Sequence, residues 1–155
     1  MMSRIGVRSR SEGVSMASEL RLSFPATMSG LIASLEAIDH MAIAWSLDPA
    51  LVSRVRLIVE ELFSNTIKYG YGEECDRPVR LHFTTDSDLT LTYEDDAPHF
   101  DPTARARESD ASIMDEDRPE GRAGIAMVLG LCATATHVPH QDGNSLVMTF
   151  EPGAR

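Results

Sequence analysis

The chain predicts an α+β fold: a two-layer α/β sandwich whose mixed, mostly antiparallel sheet carries helices on one face. Three observations predict it. Segments with strand-like alternation follow one another directly, twice, with no helix between them. Two segments of helical periodicity sit side by side between the first strand and the second. The regular strand–helix–strand alternation that builds a doubly wound parallel sheet is missing.

Each element has a local reason. Glu19 to Phe24 alternates polar residues with Leu20, Leu22 and Phe24, which predicts a strand ended by Pro25. Ser29 is a candidate cap for a helix with the apolar face Leu31, Leu35, Ile38, Ala42 and Trp45. Asp48-Pro49 opens a second helix, with Asp at the cap and Pro in the first turn. Its stripe is Val52, Val55, Val59, Leu62, Phe63 and Thr66, and Gly70 and Gly72 close it. Val79–Thr84 and Leu89–Tyr93 read as strands joined by a turn at Thr85-Asp86-Ser87-Asp88. Periodicity fails from Asp95 to Gly121, and a loop of that length in a small domain is either functional or disordered. Gly124–Leu131 is a short apolar helix. Ala133–Val138 and Ser145–Phe150 form a closing hairpin around Asp142-Gly143-Asn144.

At 155 residues the length fits one domain. The expected organisation is a disordered extension over 1–18, with Met16 as an alternative start, then one domain over 19–152. The composition is 43% hydrophobic and 25% charged, that of an ordinary soluble protein. A formal net charge of −10 argues against nucleic acid as a partner, because neutralising phosphates needs clustered Lys and Arg. The acid concentrates between Glu94 and Glu120, which reads as a solvated loop. Two distant cysteines, Cys75 and Cys132, make neither a zinc site nor a disulfide framework and fit a cytoplasmic setting. No apolar run is long enough to span a membrane, and the first residues lack a secretory core.

Chemistry concentrates in three segments. Glu61 and Asn65 lie four residues apart on the second helix, so their side chains share one face. An amide oxygen there suits Mg2+, a hard cation usually held through phosphates and waters. A carboxylate one turn earlier suits proton abstraction from a hydroxyl. Glu60 lies about 100° around the helix, so it does not share that face. Alone, the pair is more often a solvated helix edge than a site. The second segment is Glu94-Asp95-Asp96-Ala97-Pro98-His99-Phe100-Asp101-Pro102, directly after a strand. Asp95 suits an adenine amino group in a buried pocket, although a strand-ending Asp in an Asx turn explains it equally well by itself. The third is Gly121-Arg122-Ala123-Gly124-Ile125, directly before a helix, where glycines let backbone amides approach phosphate.

In order and spacing the three segments resemble the N box and the two glycine boxes of the GHKL ATPases, of gyrase, histidine-kinase and MutL type. The nearest likeness is to the anti-sigma-factor serine/threonine kinases, RsbW/SpoIIAB-like, and it covers about residues 20–150. The resemblance implies the Bergerat, or histidine kinase-like ATPase, fold. It also implies ATP and Mg2+ as cofactors. By position, Asn65 resembles the Mg2+ ligand and Glu61 the residue that activates the attacking hydroxyl. Lys68 matches a phosphate-contacting lysine, or an exposed helix lysine. Asp95, Ala97, Gly121, Arg122 and Gly124 fall in the nucleotide boxes, and the acidic loop matches a lid. The implied partners are a STAS-domain anti-anti-sigma protein as phosphoacceptor and a sigma factor or other signalling client, in a homodimer. Two positions depart from the pattern. Ala97 replaces a glycine, and its methyl crowds the pocket if that position needs positive φ. Arg122 replaces the middle glycine of the last box. A sequestration module with weak nucleotide binding, or a detached histidine-kinase catalytic domain, is the rival expectation.

Overall fold

A computed structural model describes residues 8–10, 17–98, 130–140 and 142–151. Its elements are β1 (Arg8–Arg10), β2 (Ala17–Ala26), α1 (Met28–Ala44), α2 (Pro49–Asn65), a widened helical turn over Thr66–Gly70, β3 (Cys75–Thr85), β4 (Leu89–Asp95), β5 (Thr134–His140) and β6 (Gly143–Phe150). The strands form one sheet in the order β1-β2-β3-β4-β6-β5. Every described pairing is antiparallel. The sheet is therefore α+β as expected, with no parallel pair among the described strands.

Alternation decides which face is apolar. Leu20, Leu22 and Phe24 of β2, Leu81 and Phe83 of β3, Leu89 and Leu91 of β4, and Leu146, Met148 and Phe150 of β6 all turn inward. They meet Leu31, Ile38 and Met41 of α1 and Val55, Ile58, Val59, Leu62 and Phe63 of α2. The opposite face is polar. There Glu19 accepts from His82 at 2.8 Å and from Arg21 at 3.0 Å, and these bonds hold its carboxyl below its ordinary pKa, His82 first. Arg56 ties the two helices together by reaching Leu35 O at 3.0 Å and Asp39 Oδ2 at 2.7 Å.

Several expected boundaries shift. β2 runs through Pro25, which stands opposite Pro78 of β3. At that level neither strand has a further neighbour among the described residues, so neither missing N–H breaks a ladder. Part of the segment read as a disordered extension enters the sheet. Arg8–Arg10 pair with Ala17–Glu19, taking up amides and carbonyls that β2 would otherwise leave open at its edge. Residues 1–7 and 11–16 lie outside the described set. Thr27, not Ser29, caps α1: its Oγ1 accepts from Gly30 N at 2.9 Å. The chain turns immediately after Pro25, so the helix starts two residues earlier than its apolar stripe announces. Gly30 permits this, since a Cβ there would sit 2.0 Å from Pro25 O. Met41, rather than Ala42, is the buried end of the α1 face. Asp48 caps α2 as expected, accepting from Ala50 N at 3.1 Å. Leu51 and Ile58 join the α2 face, while Val52 is only half-buried. Gly143 and Asn144 belong to β6 rather than to a turn. The helix expected over 124–131 lies outside the described residues except for Gly130 and Leu131, which form a turn. No helix among the described residues is long and apolar enough to cross a membrane.

Replacing Thr27 with Ala removes the α1 cap. The expected loss is about 1 kcal/mol of unfolding free energy. A urea titration checks it: the midpoint falls while the slope stays constant.

Candidate functional site

The site begins where α2 stops being regular. Tyr71 N donates to Thr66 O at 2.7 Å, five residues back instead of four. Widened turns of this kind recur at functional sites. The sequence predicts an ordinary helix as far as Gly70, because no residue propensity distinguishes the wider turn. Beyond it Gly72 adopts a left-handed φ of 87° and leads the chain out toward β3.

Between this turn and the ends of β4 and β6 lies a pocket, largely apolar. Leu62, Asn65, Thr66, Tyr93, Asp95 and Asn144 are among the residues lining it. Asp95 is the next inward position after Leu91 and Tyr93, and it is 6% exposed. Three donors hold it. Thr66 Oγ1 donates to Oδ2 at 2.9 Å. Ala97 N and Asn144 Nδ2 donate to Oδ1 at 3.1 and 2.9 Å. A carboxylate offers about four acceptor positions, so one remains on Oδ2. The Thr66 hydroxyl has one proton and gives it to Asp95. The 2.6 Å contact between Thr66 Oγ1 and Tyr93 Oη therefore runs with Tyr93 as donor. Burial raises the Tyr93 pKa well above its ordinary value, which keeps that donor protonated.

In sequence Asn144 has the character of a turn residue, beside Asp142 and Gly143. It stands directly opposite Asp95 in the β4–β6 ladder, and its Nδ2 also reaches Ala97 O and Pro98 O, each at 3.1 Å. Extending the inward alternation of Leu146, Met148 and Phe150 by one step finds it. Gly143 makes the approach possible, since a Cβ there would sit 2.0 Å from Asp95 O. Thr66 falls on the apolar stripe of α2 as its one hydroxyl. Tyr93 carries only a strand signal in sequence, and His137, another lining residue, carries none.

The expected site residues sort as follows. Asn65 lines the pocket and is 8% exposed, and its Nδ2 is buried without a hydrogen-bond partner. Leaving such a group unpaired costs about 1–3 kcal/mol, so folding alone gives no reason for an amide here. Glu61 is half-buried one turn earlier, whereas Glu60 is exposed. Lys68 is exposed on the widened turn and is not among the pocket-lining residues. Ala97 is 2% exposed and does not have positive φ; Ser46 is the only such non-glycine residue described. Its methyl carries no backbone strain and faces Gly70, where an added Cβ would lie 3.0 Å away. Small residues thus meet across the pocket. Gly121, Arg122 and Gly124 lie outside the described residues, as does most of the acidic loop.

A buried acid with one open acceptor position, apolar walls and a buried amide whose Nδ2 lacks a partner fit a purine with phosphates beyond it. The family model of the histidine kinase-like ATPase domain matches residues 24–150. The chain belongs to the histidine kinase-like ATPase domain family. No curated protein matches it. As a GHKL-type ATPase domain it is an ATP-binding fold. Asp95 with Thr66 and Asn144 is suited to the base, and Asn65 to Mg2+ on the phosphates.

The Gly70–Ala97 contact predicts non-additive mutations. Gly70→Ala should cost about 1 kcal/mol more in the native background than in an Ala97→Gly background. A double-mutant cycle from denaturant unfolding measures that coupling.

Proposed function

We propose that this domain is an ATP-dependent serine/threonine protein kinase. It acts as an anti-sigma factor or partner-switching regulator of RsbW/SpoIIAB-like type and phosphorylates a STAS-domain anti-anti-sigma protein. The observation that carries the reading is Asp95: a buried acid, fixed by three donors, facing a pocket with an acceptor position still open. Adenine presents an amino donor at its edge, and guanine presents a carbonyl there, so a fixed acceptor selects adenine.

The other roles follow from placement. Tyr93 donates to Thr66, and Thr66 donates to Asp95, so the acid cannot rotate away from the base. Leu62 and Leu146 supply apolar walls that exclude water from it. Asn65 would ligate Mg2+ on the phosphates, and that ion supplies neutralising charge during phosphoryl transfer. Glu61 shares the Asn65 face and accepts the proton of the acceptor serine hydroxyl. A cytoplasmic location, a sigma factor or other client, and a homodimer complete the proposal, with no nucleic-acid or membrane partner.

Transfer of radiolabelled phosphate from ATP to a purified STAS partner tests it. The native chain should label serine or threonine. Glu61→Gln should lower the rate by about 10²–10⁴-fold while ATP affinity holds. Absent transfer with partner binding intact would favour a sequestration module, and an acid-labile phosphohistidine would favour a histidine-kinase domain. Binding itself is read separately. At 100 times its dissociation constant, Mg-ATP should stabilise the fold by about 2.7 kcal/mol, and Asp95→Ala should remove most of the resulting rise in Tm.

A further inference from the structure

We propose that Tyr71, with Arg77 and Arg80, is a positioning group for Asp95, acting through its neighbour Asp96 from the far side of the strand. The inference deepens the nucleotide reading and rests on it. The β4 ladder ends at Asp95, which pairs with Val79 and Asn144. At the next residue, Asp96, side chains engage the backbone N–H and C=O. Asp96 N donates to Tyr71 Oη at 2.8 Å, and Arg77 Nη2 donates to Asp96 O at 2.7 Å. Arg80 Nη2 holds the Asp96 carboxylate at 2.7 Å. Tyr71 Oη in turn donates to Pro78 O at 2.8 Å, and the Arg77 guanidinium covers its ring at 4.6 Å. Half-exposed ion pairs contribute little individually. Here they converge on one residue and fix its N–H, its carbonyl and its carboxylate together.

The bonds close into a ring. Tyr71 N is bonded to Thr66 O, and Tyr71 Oη to Asp96 N. Asp96 follows Asp95 in the chain, and Asp95 Oδ2 is bonded back to Thr66 Oγ1. Tyr71 therefore spans the end of the helix and the end of the strand, the two walls of the pocket, and sets their separation. Loss of its hydroxyl leaves the ring stacking and the burial intact but removes the acceptor of the Asp96 N–H. The predicted consequence falls on the direction of the Asp95 carboxylate, not on the fold.

The test compares Mg-ATP with Mg-ITP, whose 6-oxo group accepts where the adenine amino group donates, by titration calorimetry on the full chain. The native chain should prefer ATP. Tyr71→Phe should lower ATP affinity roughly fivefold to tenfold and leave ITP affinity unchanged, so the ratio narrows. Arg77→Gln should narrow it in the same direction. Equal losses for both nucleotides, tracking a lower Tm, would mean a purely structural role and overturn the inference. A native preference that survives Tyr71→Phe intact overturns the positioning role alone. Equal native affinity for ATP and ITP overturns the role of Asp95 itself, and with it the adenine site.

Discussion

Placing an acid at the end of an apolar sheet face is costly unless hydrogen bonds replace the water it loses. Asp95 sits in that position, in line with Leu91 and Tyr93, and the surrounding structure is organised to satisfy it. One donor comes from the widened helical turn, one from the strand alongside and one from its own chain two residues on. Each restricts its own element. Thr66 must face the sheet, β6 must run close enough for Asn144 to reach across, and the chain after β4 must bend back at Ala97.

These restrictions explain features with no role in the hydrophobic core. Gly143 leaves room for the backbone of Asp95, because any side chain would overlap the carbonyl. The helix widens after Asn65, where both Asn65 and Thr66 have to face the pocket. Gly70 and Ala97 approach so closely that a second methyl would sit 3.0 Å from the first and force one of them to shift. Asp95 is not part of the hydrophobic cluster. An apolar residue at position 95 would remove the acceptor that Thr66, Ala97 and Asn144 share, so this polar cluster is a separate requirement from the core.

Much of this architecture is legible in the sequence, for identifiable reasons. Asp48-Pro49 combines a side-chain acceptor with a pre-set φ, and it opens α2 where expected. The alternation in β2, β3 and β4 fixes which residues face inward as far as Tyr93, whereas β4 continues through Asp95, where the periodicity of the sequence already fails. What escapes has a common origin in tertiary contact. Thr27 and Ser29 are equally good caps by type, and only the turn after Pro25 chooses between them. Asn144 resembles a turn residue beside Gly143, and only its pairing with Asp95 places it in a strand. Tyr71 looks like the tail of a helix, yet its hydroxyl reaches 25 residues ahead to Asp96. The Glu61–Asn65 pair stands out by its spacing, but spacing gives no indication that the amide is buried with its Nδ2 unpartnered.

The central claim is that Asp95 accepts a hydrogen bond from an adenine amino group. A crystal structure of the chain with a non-hydrolysable ATP analogue and Mg2+ tests it most directly. The account predicts the exocyclic nitrogen about 3 Å from Asp95 Oδ2, with the Thr66 and Asn144 bonds preserved. A nucleotide bound elsewhere, or a base in this pocket that turns no donor toward Asp95, would contradict it.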